Sequence, residues 1–173
     1  MADPAPAQTP RPASASRSEL IRWMGIEDAN HVGFVHGGIV MKMCDEVAAI
    51  AAMRHCGGRI VTAGMDRMAF AEPVKLGDLV TCLATVNAAW RTSMEVGVRV
   101  EAENPATGER RHTSSSYLTM VAIDAHGKPT PVPALTADGE DERRRQEDAG
   151  LRRANRLAER EQILAHRTAR AST

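Results

Sequence analysis

Asp45 sits in the middle of a run whose apolar residues recur at three- and four-residue intervals, and a carboxylate in such company is placed to act as a base or a nucleophile. Asn30, upstream of it, carries an amide that donates and accepts without being consumed. Between them lie His36, Gly37 and Gly38, where the helical pattern begins. Free backbone N–H groups and the helix dipole favour negative charge at such a terminus, and glycines let a ligand come close. The set offers a base, an orienting group and donors for developing negative charge. His31 and His36 lack a third ligand at sensible spacing, so a metal is not expected.

These residues need a scaffold. Ile39, Val40, Met43, Val47, Ile50, Ala51 and Met53 predict a helix from Gly37 to Arg54, roughly 27 Å long. Gly57-Gly58 stops it. On this helix Asp45 shares a face with Met41, Ala48, Ala49 and Ala52, a crowded apolar setting that would desolvate a carboxylate. The alanines let other backbone approach closely, as a sheet wrapped about the helix would.

Strand texture follows: Ile60 to Phe70, a turn at Pro73 to Asp78, alternation from Val80 to about Trp90, and alternation from Met94 to Glu101. After the turn at Asn104-Pro105-Ala106-Thr107-Gly108 comes a last strand from Tyr117 to Ile123, and Pro129, Pro131 and Pro133 end the ladder. Four strands in meander order after one long helix give an antiparallel sheet in an α+β domain. Ser18 to Gly25 fits either a further strand or one helical turn.

The chain of 173 residues is long enough for one domain with a sizeable core. A net charge of zero without a basic, aromatic-studded patch argues against a nucleic-acid partner. Three cysteines with no metal-like spacing read as free thiols in a reducing compartment. No apolar run reaches the ~18 residues of a membrane span, and a cytoplasmic protein is the default, with a transit peptide as a minor alternative.

Residues 1–16, rich in Pro, Ala and Ser, read as a disordered tail; 17–136 form the domain. Residues 137–173 hold 17 charged residues of 37 and predict a charged helix on the surface, with a thin stripe of Leu151, Ala154, Leu157, Ala158 and Leu164. A partner-binding helix is the second reading of that segment.

An ordered succession of motifs carries a resemblance: Asn30-x-x-Gly33-x-x-His36-Gly37-Gly38, Met43-x-Asp45-Glu46, Ala52-x-Arg54-His55, Val61-Thr62, Phe70-x-x-Pro73-Val74-x-x-Gly77-Asp78, and Trp90 to Val96. From about residue 20 to Pro133 the chain resembles the hotdog-fold acyl-CoA thioester hydrolases of the brain acyl-CoA hydrolase type. The resemblance implies a sheet curled around one central helix, a homodimer with shared active sites and a hexamer built as a trimer of dimers.

It further implies hydrolysis of fatty acyl-CoA to free acid and CoA, with no cofactor beyond the coenzyme A of the substrate. Asp45 would activate water or attack directly, and Asn30 would come from the partner subunit. Gly38 N–H would stabilise the oxyanion, with Gly37 second. Coenzyme A carries phosphates, for which Arg91, Ser93 and Lys128 are the candidates and Arg54, Arg67 and Arg110 nearly as good. Phenylalanine often stands at the place of His36 in similar proteins, so His36 is assigned a packing or hydrogen-bonding role beside the substrate. The alternatives are an acyl-CoA-binding protein without turnover and another hotdog acyl-CoA enzyme such as a dehydratase.

Overall fold

The computed structural model describes residues 9–171. In chain order the elements are β1 (Arg11–Pro12), a 3-10 turn (Ala13–Ser16), β2 (Ser18–Trp23), α1 (Gly37–Cys56), β3 (Arg59–Met65), β4 (Ala69–Phe70), β5 (Leu79–Ala89), β6 (Ser93–Asn104), β7 (Glu109–Ile123), β8 (Leu135–Thr136) and α2 (Glu140–Ala171).

α1 begins where the ring of His36 caps it: Gly38 N–H donates to His36 Nδ1 at 2.9 Å. It ends at Gly57, which adopts φ +70° and returns its N–H to Met53 O, a conformation glycine enters without strain. Val40, Met43, Cys44, Val47, Ala48, Ala51 and Ala52 are buried along it against the inner face of the sheet. That face presents Val80, Cys82, Ala84, Val86, Met94, Val96, Val98, Val100, Leu118 and Met120. The small alanines allow the sheet to curl close about α1. Cys44 and Cys82 face one another in this core as free thiols. The Cys82 thiol is pushed up by its hydrogen-bonding contact with Cys44 and by burial.

The fold is the α+β hotdog architecture of sheet, central helix and C-terminal charged helix. The order of strands corrects the meander. β5, β6 and β7 are consecutive neighbours, but β3 joins the far side of β7 and β2 flanks β5, giving β2-β5-β6-β7-β3, with β4 also on β7. α1 carries the chain from one edge of the sheet to the other. The stretch read as one strand from Ile60 to Phe70 is two, separated at Asp66–Met68. Ser18 to Trp23 resolves as an edge strand antiparallel to β5.

Order begins earlier than the expected tail boundary. Residues 1–8 lie outside the described residues, but Arg11–Ser16 is structured: β1 pairs in parallel with β8, Ala13 and Ser16 are buried, and Ser16 Oγ accepts from Val86 N–H at 2.9 Å. A few anchoring contacts outweigh the poor local pattern there.

α2 crosses the outer face of the sheet and buries a polar face, contrary to its thin apolar stripe. Glu95 on β6 is fully buried beneath it and accepts two hydrogen bonds from Arg152, at 2.7 and 3.1 Å, and one from Arg156 at 3.2 Å. Arg156 also reaches Asp66 at 2.6 Å. Arg152 stacks over Tyr117 on β7, and Arg153 over Trp90. Burial alone would lower the Arg152 pKa, but the Glu95 carboxylate outweighs it and holds the guanidinium more firmly charged. Leu151, Leu157 and Leu164 of the stripe remain exposed. No described helix is long and apolar enough to cross a membrane.

Candidate active site at the N-terminal half of α1

Asp45 stands on the third turn of α1, facing β3. Thr62 Oγ1 donates to Asp45 Oδ1 at 2.6 Å and also touches Met120 Sδ at 3.4 Å. The register of β3 against β7 shifts between Thr62 and Gly64, and such a bulge re-aims neighbouring side chains. Here it lies beside the residue that bonds Asp45. Asp45 is half-buried in the protomer, on the side open toward the β3 edge, where Val61 and Met41 are exposed. It is less enclosed than its apolar helical neighbours suggested.

Asn30 holds a different piece of architecture. Its Oδ1 accepts from Val32 N–H at 3.0 Å and Phe34 N–H at 3.1 Å, and its backbone closes the turn with Gly33 and Phe34. Gly33 takes φ +84° within that turn. The buried carboxylate of Asp28 fixes the segment by an ion pair to Arg22 at 2.6 Å and by accepting from Gly25 N–H, and the Asp28 backbone carbonyl accepts from His36 N–H. The amide nitrogen of Asn30 makes no hydrogen bond among the described residues. Within the protomer no hydrogen bond joins Asn30 to Asp45.

The glycine pair divides its roles. Gly38 N–H is taken by His36 Nδ1, whereas Gly37 N–H has no partner among the described residues. A Cβ on Gly37 would stand 3.3 Å from the Phe70 ring, so the ring approaches the helix terminus because residue 37 is glycine. His36 itself is exposed and serves as the helix cap.

The phosphate-binding candidates scatter. Ser93 lies on the outer side of the sheet, where its Oγ accepts from Arg153 at 3.4 Å, away from the inner face that Asp45 lines. Arg91 and Lys128 are exposed with no ion pair among the described residues. Arg67 pairs with Glu159, Arg110 pairs with Glu103, and Arg54 bonds the carbonyl of Arg17. Among the described residues no three His, Cys, Asp or Glu side chains converge as metal ligands would.

Thr62 was quoted in the sequence motif but given no task there. Its signal was the Val61-Thr62 pair on a strand facing the helix, and periodicity does not report which strand edge meets which helical residue.

Comparison with known proteins adds the following. A family model described as the thioesterase superfamily matches residues 32–109. The cytosolic acyl coenzyme A thioester hydrolase of Rattus norvegicus is 39% identical over 141 residues, covering 80% of this chain and 37% of that protein; the chain thus spans just over a third of that relative's length. The protein named uncharacterized acyl-CoA thioester hydrolase YkhA of Bacillus subtilis is 36% identical over 137 residues, covering 78% of this chain and 80% of that one.

Among solved structures, an apo-hexameric acyl-CoA thioesterase superposes with TM-score 0.85 at 41% identity, covering 88% of this chain and 97% of the other. An acyl-CoA hydrolase of Staphylococcus aureus, solved with butyryl coenzyme A, coenzyme A and coenzyme A disulfide, superposes with TM-score 0.81 at 34% identity, covering 90% and 97%. That hydrolase was also solved with alanine replacing an asparagine, an aspartate and a threonine. Those three stand fifteen and seventeen residues apart, the separations of Asn30, Asp45 and Thr62 here. This chain belongs to the hotdog-fold acyl-CoA thioester hydrolase family within the thioesterase superfamily.

Proposed function

We propose that this chain hydrolyses acyl-CoA thioesters to a free acid and coenzyme A, using Asp45 and Thr62 of one subunit with Asn30 of its partner. The observation that carries the reading is the bond from Thr62 to Asp45, made by residues at the separations of those replaced by alanine in the S. aureus hydrolase. In the reaction a water oxygen adds to the thioester carbonyl and its proton passes to Asp45. The tetrahedral oxyanion then collapses, the C–S bond breaks, and the thiolate leaves and is protonated as free coenzyme A. Asp45 attacking directly is the other route to the same products, through an anhydride that water then opens.

A positioned base contributes about 10² to 10⁴ in rate. Thr62 holds one carboxylate oxygen and leaves the other for water. Asn30 orients that water or the thioester from the second subunit, and its amide nitrogen, without a hydrogen bond among the described residues, suits this. For the oxyanion Gly37 N–H now ranks first, because a carbonyl at Gly38 must displace the His36 ring. A donor of this kind is worth about 3 to 4 kcal/mol in the transition state.

In this reading the unpaired edge of β3, flanked by exposed Val61, Met41 and Phe70, is the seam of the dimer. An edge strand so exposed invites pairing with a second sheet. Dimers associate further into a hexamer, as the solved relative described as hexameric does. Arg91 and Lys128 meet the phosphates of coenzyme A; Ser93 contributes through Arg153. The protein works in the cytoplasm and needs no cofactor beyond the coenzyme A its substrate carries.

Release of free thiol from acyl-CoAs ranging from acetyl to palmitoyl tests the activity. Turnover by the wild type and its loss in Asp45→Ala is the expected result. Binding of acyl-CoA with no thiol release by the wild type would overturn the hydrolase reading.

A further inference from the structure

α2 covers only part of the outer face of the sheet, around Glu95, Trp90 and Tyr117. Away from it, at the β2 edge, that face is bare and apolar. Leu20 and Cys82 turn toward the core, so their strand neighbours Ile21 and Trp23 on β2, and Leu79 and Leu83 on β5, point outward. Ile21 is 51% exposed and Trp23 71%, and Leu83 is exposed beside them. The Trp23 ring is nonetheless fixed, because its Nε1–H donates to Gly77 O at 3.0 Å. A large ring already held in one orientation is a ready anchor for a protein contact, since little side-chain freedom is left to lose on binding.

Charge narrows the occupant. Across β6 and β7 the patch is bordered by two ion pairs, Arg99 with Glu101 and Arg110 with Glu103, both at 2.7 Å. Acids and bases balance along that border, so no excess of positive charge is offered to a nucleic acid or an anionic membrane. An apolar centre with a polar rim of both signs is the anatomy of a protein–protein interface. Position narrows it further. In the order β2-β5-β6-β7-β3 the patch lies at the edge opposite the proposed seam, four strand spacings or about 19 Å away. A dimer joined at β3 therefore carries one patch at each end of its sheet. Three such dimers hold six patches, which pair off into three contacts and close a ring.

We propose that the face of Ile21, Trp23 and Leu83 meets the same face of a neighbouring dimer about a second two-fold axis, and that this contact assembles three dimers into the hexamer. The proposal rests on the β3-edge dimer and the hexamer put forward above. It leaves the seam and the site of Asp45 untouched and uses the opposite edge of the sheet.

Light scattering from the full chain at micromolar concentration tests it. The wild type is expected at the mass of six chains. Ile21→Glu and Trp23→Glu should each bring it down to the mass of two, while Leu151→Asp, exposed on α2, leaves it at six. Circular dichroism equal to the wild type shows that the variants are folded, and Ile21→Glu keeps the test decisive if losing the Trp23 bond to Gly77 disturbs β2. A hexamer retained in both folded variants overturns the proposal. So does a fall to single chains, which would put the patch in the β3 seam. A wild type that stays at the mass of two refutes the hexamer itself, a failure told apart because it appears before any substitution is made.

Discussion

Thr62 Oγ1 donates to Asp45 Oδ1 at 2.6 Å, joining the bulged edge strand to the central helix. A hydrogen bond to a charged group is worth roughly 1.5 to 3 kcal/mol, and orientation of the carboxylate is lost with it. Thr62→Ala should therefore lower kcat by about ten- to a hundredfold, and Thr62→Ser, which keeps the hydroxyl, should retain most of it. Thiol-release kinetics at saturating acyl-CoA decide this; equal rates for the alanine and serine variants would refute the role.

His36 caps α1 through Gly38 N–H. Removing a cap costs about 1 kcal/mol, so His36→Ala should melt a few degrees lower. Its kcat should not fall, because the change also frees a second N–H at the proposed oxyanion position. A collapse of kcat in a folded His36→Ala protein would give the imidazole a part in the chemistry that the account denies it.

Glu95 is a buried acid between two arginines. Breaking such a set by removing one partner costs about 3 to 5 kcal/mol, toward the lower end here because Arg152 and Arg156 can turn to water. Glu95→Ala should lose thermal stability accordingly and release α2, read as faster amide exchange across residues 145–156. Unchanged exchange there would mean that the aromatic stacking of Arg152 and Arg153 suffices.

The His55 ring is fully buried at the end of α1, with Nε2–H donating to Pro133 O at 3.0 Å and Nδ1 unpartnered. Burial, with a smaller push from Arg11, holds its pKa below the ordinary ~6.5, and the Pro133 bond only partly offsets this. The unfolded chain then binds the proton more readily than the native one, so stability declines as pH falls below about 6.5. The drop in Tm between pH 7.5 and 5.5 should be smaller in His55→Gln than in the wild type. An identical drop would show that other groups govern the acid limb.

Much of this was legible in the residues. The helix from Gly37, the strands and the turn glycines follow from local pattern, and Asp45, Asn30 and the glycine pair were prominent by type and place. What local pattern cannot carry is which strand neighbours which: β3 reads as a strand anywhere, and only the path of α1 sends it to the far edge. Thr62 stayed hidden for that reason. The charged surface helix itself was legible, but its docked face leaves no local mark, because burial there runs through arginine stems, aromatic rings and one acid on a distant strand. His36 as a cap competing for Gly38 N–H depends on a ring torsion that sequence does not specify.

The central claim, one site built from two subunits, is tested most directly by mixing inactive Asp45→Ala and Asn30→Ala proteins under conditions that let subunits exchange. Half of the dimers are then mixed, and each has one of its two sites intact, so thiol release should recover to roughly a quarter of the wild-type rate. Exchange confirmed by mass, with activity still at the level of the separate variants, would contradict it.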